Sequence, residues 1–388
     1  MLTYTLNNLP TAVTLIESLP SNTNMLSVTG KAILSGYNQS IAHLSTCTST
    51  NSKTANTDCS YIQVSNATYA CASNVTTQTA PMNCSMSADI VGFDLAQVDL
   101  TSYTAHETYF NTMSLVVSPD SVVTFTGTIT VDAEESAGIL GILREYVNTD
   151  DDGIVPQSYL SELRVKAGIN ATLSSVHIDR ILVSANNIFL PPSSIVENTG
   201  YTDNVCAEPV TASLLSCNYT GGVSGYDRLL IFDAEADIIV GYDTIMTGSL
   251  MFFCGRNINF QTNSFLSANF SGCAANEGLG PGLMSSNIVG GGGGANGGSG
   301  GVGTNNPNSG GTAYAVSNNG LSTMIYSGSG GGCFGASGTP SSCMTSYGGG
   351  IISIQATNQL TLYGNITANG GSAQSSNGGG AGGSIAVL

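Results

Sequence analysis

The residues best placed to do chemistry lie in 148-NTDDDGIVPQSYLSEL-163. Laid on a twelve-residue calcium loop, Asn148, Asp150 and Asp152 take positions one, three and five, where hard oxygen ligands alternate, and Gly153 takes the sharp turn. Val155 falls at the apolar eighth place, but Tyr159 stands where the loop needs a bidentate carboxylate, and Glu162 comes three residues late. Asn148, Asp150, Asp152 and Glu162 are therefore a weak Ca²⁺ candidate, and an acidic solvated turn accounts for the same residues. His43, His106 and His177 are the only histidines and no CxxC occurs, so zinc-ligand spacing is missing. No Ser-His-Asp or Cys-His arrangement can be nominated from them. The glycine runs lack the GxxxxGK[ST] of a phosphate loop, and Glu134 with Glu135 reads as a solvated pair. The expectation is no catalytic residue and no cofactor beyond a candidate Ca²⁺ and N-linked glycans.

Cysteines and sequons point to a compartment. The ten cysteines fall in local groups: Cys47, Cys59, Cys71 and Cys84, then Cys206 with Cys217, Cys254 with Cys273, and Cys333 with Cys343. An even number at short separations suits disulfide loops in an oxidising environment. Asn-x-Ser/Thr occurs at Asn38, Asn66, Asn74, Asn83, Asn170, Asn218, Asn269 and Asn365. Together these predict an extracellular, glycosylated protein.

Charge narrows the partners. The 388 residues carry 8 Lys and Arg against 25 Asp and Glu, a net charge of −17, so a polyanion such as nucleic acid is an unsuitable partner. The longest apolar pieces are of the kind 229-LLIF-232 and 250-LMFFC-254, too short for a membrane span in this stretch. The opening MLTYTLNNLP lacks the basic leader and apolar segment of a signal peptide, and 378-GGGAGGSIAVL-388 stops inside an apparent strand, so a portion of a longer protein is expected.

The elements that would position any site repeat. Segments 181–200, 251–272 and 351–371 each open with an apolar strand and continue with an alternating pair: Ile188/Leu190, Ile258/Phe260, Leu360/Leu362. A polar corner follows, then Ile195, Leu266 or Ile366, an Asn three residues on (Asn198, Asn269, Asn369), and a closing Gly200, Gly272 or Gly371. Segment 229–249 is a weaker copy. Units of this size cannot bury an apolar face alone but form one core when stacked, which predicts an all-β fold, a parallel β-solenoid with long loop insertions. Asn and Gly at the corners suit a left-handed backbone. At Asn269 that role conflicts with a sequon, because an amide held in a ladder carries no sugar.

Three regions are expected. Residues 1–118 are a β-rich region with Cys-stapled, glycosylated loops, strands being read at 3–6, 12–16, 25–34, 61–65 and 114–118. It is either a separate sandwich or the first coils with long loops. Residues 119–277 are coils with an acidic, partly helical insertion near 133–166, where Ile139, Ile142 and Tyr146 share a helical face over 135–148 and a second helix is read over 156–166. Residues 278–388 form a glycine-rich lobe with continuing coils. That lobe contains no Asp, Glu, Lys or Arg and holds 33 of the 49 glycines. Met284, Ile288, Tyr314, Met324, Ile325, Tyr326, Phe334 and a Cys333–Cys343 link favour an ordered lobe over a free linker.

The run 348-GGGIISIQATNQLTLYGNITANGGSAQSSNGGGAGGSIAVL-388 resembles Gly-rich right-handed parallel β-helix surface proteins of eukaryotic microbes, some of which form filaments such as the mastigonemes of flagella. The resemblance implies a structural subunit of an extracellular filament or surface layer, with copies of itself or related subunits as partners, and supplies no catalytic residue. A carbohydrate- or cell-binding adhesin is the alternative. A β-helix polysaccharide lyase or hydrolase is a third reading. The pectin hydrolases' Gly-His-Gly and Arg-x-Lys are missing, and the repeats offer only Arg180 and Arg256 near their strands.

Overall fold

The computed structural model describes residues 2–4, 25–36, 61–65, 68–73, 82–100, 105–119, 121–125, 127–145, 161–198, 228–283, 292–296, 299–302, 309–312, 326–333, 346–372 and 377–388, with backbone alone for those before 91, for 94–108 and for 145. The chain divides into two compact units, Met1–Val196 and Glu197–Leu388. Both are β-structured, and no α-helix occurs among the described residues.

In the first unit, β1 (Leu2–Tyr4), β2 (Met25–Gly36), β3 (Tyr61–Ser65) and β4 (Thr68–Ser73) precede two long strands, β5 (Met82–Leu100) and β6 (Ala105–Val117). They are followed by β7 (Val122–Phe125), β8 (Thr128–Glu145), β9 (Glu162–His177) and β10 (Arg180–Leu190), while β11 (Ile195–Glu197) lies across the boundary. β5 runs parallel to β2, β6 and β7, and β8 runs parallel to β6, β7 and β9, which in turn pairs with β10. Antiparallel additions, β1 and β3 on β2 and β4 on β5, decorate this stack. The described strands of residues 1–118 thus combine parallel stacking with antiparallel pairs. Residues 12–16 lie outside the described residues.

Parallel register lines up equivalent side chains in columns. Phe110 sits beside Val131, which sits beside Val165 and then Val183; Val117, Ile139 and Leu173 form a second column. All of these are buried. Each such side chain contributes about 2 kcal/mol of apolar burial, available only when the next turn of chain covers it.

The helix expected over 135–148 is a strand as far as Glu145. Ala133, Ala137, Ile139, Gly141 and Leu143 point inward and Ile142 outward, so the period is two rather than 3.6. Small residues took inward places that the helical reading had assigned to Ile142. Likewise 162–166 belongs to β9, while 146–160 lies outside the described residues.

In the second unit, β12 (Leu229–Val240), β14 (Leu250–Phe260), β16 (Ile351–Leu362) and β18 (Ser384–Val387) stack in parallel, as do the short β13 (Ile245–Thr247), β15 (Phe265–Ser267) and β17 (Asn365–Thr367). Register places Ile238 beside Ile258 and Leu360, Val240 beside Phe260 and Leu362, and Met246 beside Leu266 and Ile366, the columns expected from the repeat. Phe232 stacks on Phe253 at 5.3 Å and 10°, and Phe253 meets Phe260 edge-on at 5.3 Å.

Two details differ from expectation. In segment 181–200 the inward residue after the corner is Val196, fully buried, while Ile195 is exposed. Left-handed backbone falls on Ser193, Asp243 and Asn263 inside the corners, not on Asn198, Asn269 or Asn369. The residue that follows, Ser194, Thr244 or Ser264, turns its hydroxyl side chain fully inward.

The described residues of the glycine tract are joined chiefly by backbone hydrogen bonds. Residues 327–333 run through it and are all buried. Their N–H groups reach different neighbours in rotation. Gly328 and Gly331 donate to Gly349 and Ser346, Ser329 and Gly332 to Ala295 and Gly292, and Gly330 to Glu277. Their carbonyls do the same: Gly328 and Gly331 accept from Cys273 and Asn276, while Ser329 and Gly332 accept from Ala381 and Gly378. A repeat of three is the geometry of a polyproline II-type helix, whose backbone groups point outward. Here those groups bond to four surrounding segments, 272–283, 292–296, 346–350 and 377–383. Only glycine allows the approach: a Cβ on Gly330 would overlap the carbonyl oxygen of Ala274, and one on Gly348 that of Gly328. The apolar side chains that the sequence suggested would pack this lobe lie, apart from Tyr326, outside the described residues.

Candidate functional site

Glu162, the one calcium candidate among the described residues, is buried at the start of β9. Its Oε1 accepts from Arg164 Nε at 2.6 Å, and its Oε2 lies 3.7 Å from Arg180 Nη1. Both oxygens thus face cations, and a metal would have to displace them. Asn148, Asp150 and Asp152 lie outside the described residues. Beside this pair, Asp179 Oδ2 accepts from the Ser161 N–H and hydroxyl at 3.2 and 3.3 Å, and the Asp179 N–H donates back to Ser161 Oγ. This reciprocal clasp fixes the turn into β10 beneath the arginine pair. Glu162→Gln is expected to lower stability by about 2 kcal/mol, since a charged hydrogen bond is lost while Arg180, only 13% exposed at its side chain, keeps its charge. Urea denaturation of both proteins checks it, and unchanged midpoints would show the cluster to be ornamental.

A second acidic group, missed in the sequence, is Asp233 on β12. Burial, with the nearby charge of Glu235, holds its carboxyl above the ordinary range. The folded chain therefore binds this proton more tightly than the unfolded chain does. The resulting stability is present below the usual carboxylate range and is lost as pH rises through the elevated folded value. Asp233→Asn is expected to raise the melting temperature at about pH 7 and to change little at about pH 3. Thermal melts at the two values check the difference; equal shifts at both would contradict it.

Cys254, Cys273 and Cys333 are each in a disulfide, and all three are buried. Cys71 on β4 is placed directly opposite Cys84 on β5 in antiparallel register. Cys47, Cys59, Cys206, Cys217 and Cys343 lie outside the described residues, as do Asn38, Asn66, Asn74 and Asn218. Asn83 falls in β5. Of the remaining sequons, Asn170 and Asn365 are exposed. Asn269 behaves differently: its Oδ1 accepts the N–H of Asn369, 100 residues further on, at 2.7 Å. This bond engages the side-chain oxygen, whereas a sugar would attach to the nitrogen. Other side-chain amides are bonded as well, Asn257 donating to Asp237 and accepting from Asn358, each at 2.7 Å, and Asn187 donating to Asn170 at 3.2 Å.

His177 ends β9, His106 falls in β6, and His43 is outside the described residues. Among the described residues no group of three or more His, Cys, Asp or Glu is arranged to hold a metal ion, and no helix is long and apolar enough to cross a membrane.

What the described surface offers instead is an uncharged, partly apolar region. Every charged residue precedes Gly278, and beyond it Leu279, Leu283, Val302, Leu362 and Tyr363 are exposed, Tyr363 at 70% and Val302 at 64%. No protein-family model, no curated protein and no solved structure matches the chain.

Proposed function

We propose that the chain is a right-handed parallel β-helix that serves as a structural subunit of an extracellular filament or cell-surface layer, N-glycosylated and disulfide-stabilised, without catalysis of its own. The stacked parallel strands of each unit support the solenoid part of this reading, and the disulfide-bonded Cys254, Cys273 and Cys333 support an oxidising compartment. The observation that carries the assembly part is the uncharged C-terminal third with its exposed Leu283, Val302, Leu362 and Tyr363. Copies carrying a net charge of −17 repel one another, except where a surface holds no charge. Contact there also avoids the cost of stripping water from ions.

Negative-stain electron microscopy of the purified, oxidised protein is expected to show regular fibres or sheets, shortened or lost in a Leu362→Lys, Tyr363→Lys double variant. A strictly monodisperse monomer at high concentration would overturn the reading. Exposed Tyr242 and Phe270 favour the adhesin as a second reading, and binding of the monomer on a glycan array is the result that would put it first.

A further inference from the structure

We propose that the glycine bundle is a redox-gated element, ordered only while its disulfides are intact, and that reduction releases residues 272–283, 327–333 and 346–350 as flexible chain while the parallel strand stacks stay folded. The two parts of the second unit are held by different forces. β12 to β16 are joined by buried apolar columns, including Phe232, Phe253, Ile258 and Phe260. The bundle is joined by backbone hydrogen bonds between glycines and, among the described residues, buries few side chains, Ala295 and its cysteines being the main apolar ones. Glycine gives up more conformational freedom on ordering than any other residue, and the net gain from one hydrogen bond per residue falls short of that loss. A cross-link supplies the difference by restricting the unordered chain.

The cysteines sit where such cross-links act. Cys273 is in the first bundle segment, its N–H bonded to Gly328 of the central one and its carbonyl accepting from Gly348. Cys333 closes the central segment, where the Asn276 side chain accepts its N–H at 3.1 Å. Cys254 lies in β14, within the strand stack. All three are bonded and buried, so a reductant reaches them only when the bundle opens. A dithiol then acts in two displacements. One thiolate attacks a sulfur of the protein disulfide to form a mixed disulfide, and its second thiolate displaces that sulfur. Two electrons and two protons end on the two cysteines as thiols, and the dithiol leaves as its cyclic disulfide.

The inference holds whether or not the chain polymerises. Hydrogen exchange read by mass spectrometry on the full chain, with and without dithiothreitol, tests it, complete reduction being verified by the mass added on alkylation. Without reductant, peptides covering 272–283, 327–333 and 346–350 are expected to exchange slowly. With it their exchange is expected to rise at least a hundredfold, while peptides covering β8 to β9 and β12 to β15 change less than threefold. Cys333→Ser is expected to reproduce the loss at 327–333 without reductant. Bundle peptides that keep their protection after full reduction would overturn the proposal, and so would loss of protection in the strand stacks together with the bundle.

Discussion

Phe253→Ala lowers the stability of the second unit by about 4 kcal/mol, the cost of removing a fully buried ring and leaving part of its volume empty. The ring stacks on Phe232 and receives the edge of Phe260, so its loss unseats two neighbours that themselves have no exposed surface. Register puts Ile354 on its other side, so the ring lies between neighbours of two adjoining coils. Denaturant unfolding followed by the signal of the second unit measures the change. A loss under about 1 kcal/mol would mean that the column collapses freely and that stacking of coils contributes little to the fold.

Gly330→Ala is expected to cost about 3 kcal/mol and to abolish protection across 327–333, although it adds a single methyl group. That methyl would overlap the carbonyl oxygen of Ala274, a backbone atom that cannot swing aside. Shifting the central segment outward would break the donors from Gly328, Ser329 and Gly331 together. Gly301→Ala is the matched control, because nothing lies within 4 Å of the added methyl, and it should change stability by less than about 0.5 kcal/mol. Thermal melts of the three proteins, with hydrogen exchange at 327–333, distinguish a packing requirement from the general entropic effect of replacing glycine. Equal effects at both positions would rule out close backbone approach as the reason for glycine here.

The columns of the second unit were legible because their inward residues are large. Ile258, Phe260 and Leu266 alternate with polar neighbours, and the same pattern returns at Leu360, Leu362 and Ile366. Where inward residues are small the reading failed. Ala133, Ala137 and Gly141 carry little hydropathy, so residues 135–145 of the strand over 128–145 read as the start of a helix over 135–148 on the spacing of Ile139, Ile142 and Tyr146. The one-residue slip at Ile195 and Val196 has a related cause, since two adjacent apolar residues follow the corner and hydropathy does not say which turns inward. Of the candidate site, the disulfide-bonded state of Cys254, Cys273 and Cys333 followed from spacing and composition. The clasp of Glu162 by Arg164 and Arg180 did not, because Arg180 comes from the following strand and only the register of β9 on β10 brings it near. The glycine bundle was the least legible part. Its bonds join segments far apart in sequence, and they use atoms that every residue possesses.

That bonding pattern also sets how such a tract can change length. A segment whose donors rotate among neighbours every third residue keeps its partners if a full turn is added or removed. Losing or gaining a single residue would swing each later N–H a third of the way round, toward a neighbour whose carbonyl already has a donor. Variation in this tract should therefore arrive in triplets wherever it crosses the interior, and be unrestricted in count only where the chain leaves it.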